Sequence, residues 1–322
     1  MPTEIETIMQ AKVKLYFDSF IYDLVQRRNE CARVRKWRKS YGHEIGISIN
    51  ANVGEALRIS DHAARDTRLH TILSLGSHIH PPYDYRHYRE IADEVWRLRP
   101  EWFRQALDRR RTDEYLRQRK REWKKLQDPS HLPDLTKELL RINALVGREM
   151  GRQKQHRQRP GLGVDWRPRH TNAEVQRCMD QRTQADEHWR YVTAEETRPA
   201  LDQERRANRH LSWLVDFRWP QPADDWHRLW MCDADASRVP LCRVVGLTEF
   251  FQRRRKVTPG NSVDRLHAPH LYGFDWFLTT DRRFSQVLED VRAEMPDVAL
   301  ARVGLIDSEA PSALAAIEAA LK

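Results

Sequence analysis

Four short apolar runs constrain this chain more than any other feature. VKLYF (13–17), EIGISI (44–49), DWFLTT (275–280) and VALARVGLI (298–306) are each about one strand long. They are separated by stretches with helical periodicity, such as FIYDLVQRRNECARVRKWRK (20–39), VGEALRISDHAARD (53–66), VPLCRVVGLTEFFQRRR (239–255) and FSQVLEDVRAEM (284–295). VKLYF is an apolar run that reads as a buried strand, and strand–helix alternation builds a parallel sheet. HTILSLGSHI (70–79) reads as a further strand closed by Pro81 and Pro82, and Asn50 or Asn52 as the cap of the helix carrying Glu55. The middle of the chain does not alternate. Residues 83–238 read as helical and polar, interrupted at DPSHLPD (128–134), RQRPGLGVDWRPRH (157–170) and WPQPADDW (219–226). The expected fold is therefore one discontinuous α/β core, residues 11–82 with 239–322, and a helical insertion over 83–238.

Charge is segregated along this plan. The 322 residues hold 56 Lys and Arg against 47 Asp and Glu, for a net charge of +9. Residues 27–39 carry seven basic groups and one acid, residues 97–127 twelve and five, and residues 141–170 eight and two. The remainder is net acidic. Basic surface over an acidic remainder points to a polyanion held beside a group of carboxylates. In the insertion the candidates for phosphate contact are Arg109, Arg110, Arg111, Arg117, Arg119, Lys120 and Lys124. No run approaches the 18 apolar residues of a membrane span, and MPTEIETIMQ has no secretory character, so a cytoplasmic protein is expected. The four cysteines form no CxxC pair and read as reduced thiols.

Acids recur where strands end. Asp18 follows the first strand, Asp281 follows DWFLTT, Glu55 opens the helix after the second strand, and Asp264 lies 17 residues before Asp281. In an open parallel sheet, ligands bind at the carboxyl ends of strands near a topological switch point. Four converging acids need a cation between them, and an all-oxygen donor set favours Mg²⁺ or Mn²⁺ over zinc. His78 and His80 lack the further ligands that a zinc site requires. GLG at 161–163 lacks the strand and the Gly-Lys-Ser/Thr of a phosphate loop.

KLYFDS, ISINANVGEAL, VDRLHAPHLYGFD and WFLTTDRRF together resemble the PIN-domain family of metal-dependent nucleases. The resemblance covers about half the chain. It implies a three-layer α/β/α core with Asp18, Glu55, Asp264 and Asp281 as ligands of one or two divalent ions. Thr279, His267 and Asp23 are implied around them. It also implies phosphodiester hydrolysis, in RNA ahead of DNA, and a toxin or defence role with an inhibitor or antitoxin partner. A flap or single-strand DNA nuclease is the alternative. Phe20 stands where the family carries a small polar residue, which motivates a third reading, a non-catalytic nucleic-acid or protein-binding module.

Overall fold

The computed structural model describes residues 12–80, 83–103, 114, 117–118, 121, 170–202, 223–255 and 261–322. They contain a five-stranded, all-parallel sheet: β1 (Lys14–Phe17), β2 (Glu44–Ile47), β3 (His78–Ile79), β4 (Trp276–Thr279) and β5 (Arg302–Leu305). The strand order is β3-β2-β1-β4-β5. The chain thus moves outward from β1 to β3, returns to the other flank of β1, and moves outward again. The reversal lies between β1 and β4, which pair Leu15 with Trp276, Tyr16 with Phe277 and Phe17 with Leu278.

Helices cover both faces of the sheet, and the last three residues of β1, β2 and β4 are buried. Successive side chains point to opposite faces. Tyr16 and Phe277 pair on one face with ring centroids 5.0 Å apart, and Phe284 of α11 (Arg282–Ala293) meets Phe277 edge-on. Phe17 points the other way and meets Tyr22 of α1 (Ser19–Arg27) at 5.8 Å. On that second face α1 also packs on α4 (His62–Leu75), and α2 (Cys31–Tyr41) packs on α4.

Two local differences from the sequence reading have clear causes. The basic stretch 20–39 is not one helix. It breaks at Asn29, which adopts φ 53°, a left-handed conformation that Asn tolerates better than most residues. The break delivers the buried Glu30 carboxylate to Ser312 Oγ and to the Leu314 N–H, at the start of α12 (Ala313–Ala320). Residues 70–75 are helix, not strand: Leu69, Ile72 and Leu75 recur at three-residue spacing and extend α4, leaving only His78–Ile79 as β3. Gly76 then passes so close to Ile47 that a Cβ there would overlap its side chain.

The described chain divides into two compact units. The first comprises Met1–His80, Gly273–Gln286 and Leu300–Lys322 and holds the sheet. The second comprises Pro81–Tyr272 and Val287–Ala299, so residues 239–272 cluster with the helical segment rather than with the strands. Its described helices are α5 (Tyr83–Leu98), α6 (Ala173–Asp180), α7 (Gln184–Asp202), α8 (Ala223–Arg228), α9 (Pro240–Arg253) and α10 (Asn261–His267). Helices α7 and α9 meet at Gly246, where a Cβ would lie 2.5 Å from the Trp189 Cα. Trp189, Trp226 and Trp230 are fully buried. Glu90 of α5 accepts from the Leu241 and Cys242 N–H groups at the start of α9, and burial nonetheless pushes its pKa up to about 8. Cys178 and Cys232 form a disulfide with Cα atoms 5.5 Å apart, which corrects the expectation of four reduced thiols. Their 54-residue separation leaves no sequence signature. No described helix is long and apolar enough to cross a membrane.

Candidate functional site

The carboxyl ends of β1 and β4 lie side by side, joined by the Asp18 N–H donating to Leu278 O at 3.0 Å. Asp18 is 3% exposed. Its Oδ1 caps α1 by accepting from the Phe20 and Ile21 N–H groups at 3.0 and 3.3 Å. Its Oδ2 accepts from the hydroxyl of Thr279, which is fully buried. The same hydroxyl oxygen accepts the Asp281 N–H at 3.0 Å. Asp281 Oδ1 in turn caps α11 through the Arg283 and Phe284 N–H groups at 2.7 and 3.0 Å. A hydrogen-bonded chain therefore runs from Asp281 through Thr279 to Asp18 across the switch point. Each acid accepts from the first N–H groups of a helix, whose positive end favours the charged carboxylate.

Asn52 brings the third acid to this edge. It is fully buried; its Nδ2 donates to Phe17 O at 2.9 Å and its Oδ1 accepts the Ser48 N–H at 3.0 Å. It is therefore not the helix cap expected from sequence. It ties the segment after β2 to the end of β1. A wide helical turn over Ile49–Val53 then leads into α3 (Gly54–Leu57), which carries the half-buried Glu55. The Tyr16 hydroxyl senses the result: burial first, then Tyr22, Glu55 and Asp18, hold its pKa well above the ordinary tyrosine value. Arg68 of α4 faces Asp23 and Glu55, with burial lowering its pKa and the two acids raising it. Asp23 is occupied by Arg68 and by Arg27, the latter at 3.2 Å. The Tyr22 hydroxyl, buried and raised by burial and by the Asp18 charge, has no hydrogen-bond partner among the described residues.

The remaining candidates belong to the second unit, to β3 and its end, or to residues outside those described. Asp264 lies on α10 in the second unit, where the Gln252 amide donates to its Oδ2 at 3.3 Å. His267 is buried in the same unit. Arg117 is helical and exposed. Arg109, Arg110, Arg111, Arg119, Lys120 and Lys124 lie outside the described residues. His78 and His80 pack against Phe274, centroids 6.4 and 4.7 Å away. Sequence reasoning missed Asn52, Arg68, Tyr16 and Tyr22 as parts of this edge. A polar residue two or three positions past a buried strand was the available signal for Asn52.

Asp18, Asp281 and Glu55 are hard oxygen donors, and in kind they suit Mg²⁺ or Mn²⁺. Among the described residues, no group of three or more Asp, Glu, His or Cys stands close enough together to hold an ion. Comparison with family models, with curated proteins and with solved structures finds no match to this chain.

Proposed function

We propose that the chain is a divalent-metal-dependent endonuclease of the PIN-like type, acting on RNA ahead of DNA. The observation that carries the reading is the Asp18–Thr279–Asp281 chain at the switch point of an all-parallel sheet. That is where an open α/β sheet binds its ligand. Glu55, carried to the same edge by Asn52, adds a third carboxylate. Helices on both faces of the sheet support the three-layer expectation.

In this reading Asp18, Glu55 and Asp281, which the described structure does not draw into one cluster, would supply the oxygen ligands of one or two Mg²⁺ or Mn²⁺ ions. The metal, when bound, lowers the pKa of water and neutralises phosphate charge. Thr279 positions Asp18. Glu55 orients the attacking water. Arg117 and the neighbouring cations of the insertion hold the phosphate backbone. An inhibitor or antitoxin protein belongs to the same proposal.

Cleavage of labelled RNA and DNA hairpins in Mn²⁺, side by side, tests this. Wild type should cut RNA faster. Asp281→Asn keeps a good helix cap and should stay folded while losing cleavage. Asp18→Asn should do the same. Cleavage retained by Asp18→Asn overturns the site. Faster DNA cutting selects the DNA-nuclease alternative. Nucleic-acid binding without any cleavage selects the non-catalytic module, which Phe20, 57% exposed beside Asp18, specifically favours.

A further inference from the structure

We propose that the outer face of α2, with Tyr41 and His43 at its end, is a docking surface for single-stranded nucleic acid. It extends the nuclease reading by naming where the strand is gripped away from the carboxylates.

Helix α2 carries Arg33, Arg35, Lys36, Arg38 and Lys39 and no acidic residue. Val34 and Trp37 are buried, which turns the cations outward. Two of the five are engaged within the protein: Arg33 pairs with Glu30, and Arg38 donates to Leu75 O at 2.7 Å. Arg35, Lys36 and Lys39 are exposed and have no partner among the described residues. Arg35 and Lys39 are one helical turn apart, and Lys36 and Lys39 are three residues apart, so the three charges crowd one stripe. Lys39 complements the helix dipole in the last turn. Arg35 and Lys36 lie too far from the terminus for that role. Their charge is therefore free to meet an external anion, most strongly at low salt.

The aromatic pair makes the partner specific. Tyr41 is 48% exposed, and its ring stacks on His43 at 5.7 Å with planes 12° apart. Trp37 supports both rings from below, at 6.2 and 4.8 Å. Exposed Lys12 adds charge at the same end, its Cγ 3.9 Å from the position a Gly42 Cβ would take. A stripe of cations beside an exposed aromatic ring fits a strand whose bases are unpaired and can stack. Helix α2 ends where β2 begins, so this platform lies at the amino-end edge of the sheet. Asp18, Asp281 and Glu55, which repel phosphate, lie at the opposite edge.

The test is binding of the full chain, in EDTA, to a labelled single-stranded RNA across a salt series, with melting curves to confirm folding. Replacing Arg35, Lys36 and Lys39 with Gln together should weaken binding at least ~10-fold and lower the log–log salt slope by about 2, three contacts at about 0.7 each. Tyr41→Leu should abolish quenching of a 2-aminopurine strand, weaken binding about 10-fold and leave the salt slope unchanged. An unchanged slope in the triple variant, no binding by wild type, or equal affinity for duplex and heparin that Tyr41→Leu does not alter would each overturn the proposal. The two readings fail separately. Cleavage with an unaltered slope removes this surface and keeps the nuclease. Binding dependent on α2 with no cleavage in Mn²⁺ removes the nuclease and keeps this surface.

Discussion

Replacing Thr279 with Val is the most informative perturbation of the carboxylate edge. Valine matches threonine in shape, so the fully buried site is neither emptied nor overfilled. Only the hydroxyl is lost. That hydroxyl donates to Asp18 Oδ2 and accepts the Asp281 N–H. A hydrogen bond to a charged group contributes about 1.5–3 kcal/mol and a neutral one about 0.5–1.5 kcal/mol. Asp18 is nearly inaccessible, so water cannot replace the lost donor without opening the edge. The expected loss of stability at pH 7 is therefore about 2–4 kcal/mol, read as a shift in the urea midpoint at constant slope. Thr279→Ser keeps the hydroxyl and should lose no more than about 1 kcal/mol. The cost of Thr279→Val should also shrink by at least ~1 kcal/mol in an Asp18→Asn background, since the two residues are in contact. A Thr279→Val protein within about 0.5 kcal/mol of wild type, or an equal cost in both backgrounds, would refute the claim that this bond organises the edge.

Three further outcomes follow from the second unit. Glu90 has a folded-state pKa near 8, raised from 4.5, so the native state holds its proton where the unfolded chain has lost it. Its contribution is fully present below pH 4.5 and is lost as pH rises to about 8; Glu90→Gln should flatten the pH dependence of the unfolding free energy across that window by on the order of a few kcal/mol, and a parallel pH profile would contradict the burial argument. Substituting Ser for both Cys178 and Cys232 opens a loop of 54 residues and should cost up to about 4 kcal/mol; reductant should lower the wild-type Tm and leave the double variant unmoved, and a wild-type Tm insensitive to reductant would mean the bridge does not form. Gly246→Ala would drive a methyl group into the Trp189 backbone and should cost about 1–3 kcal/mol by denaturant unfolding, whereas a neutral result would show that α7 and α9 can separate without penalty.

The parts of the fold legible in the sequence are those fixed by short-range pattern. The runs over 13–17, 44–49, 275–280 and 298–306 locate β1, β2, β4 and β5, because a strand with a buried side leaves a short run rich in apolar residues. Asp18 and Asp281 were legible for the same reason: they are the first carboxylates after such runs. What failed was decided by distant partners. Residues 70–75 satisfy both a strand and a helix pattern, and only the docking of Leu69, Ile72 and Leu75 chooses between them. The turn at Asn29 exists because Glu30 reaches Ser312 and Leu314, 282 and 284 positions away. Asn52 looked like a cap because nothing local reveals that its amide lies between Phe17 and Ser48. Thr279 was legible as a neighbour of the site, and the structure gives it direct contact with Asp18.

The separation of Asp18 from Thr279 has a consequence in time. The two residues lie 261 positions apart. At about 5–20 residues per second, a ribosome needs roughly 13–50 s to pass from one codon to the other. Throughout that interval β1 has no β4 beside it, and the Asp18 carboxylate lacks its hydroxyl donor. The edge that gathers the acids cannot assemble on a nascent chain until its late strands emerge. Any hazardous chemistry performed there is thereby withheld from the message and the ribosome making it. Stalled nascent chains should protect the end of β1 from proteolysis only once they are long enough for β4 (Trp276–Thr279) to have emerged from the ribosome.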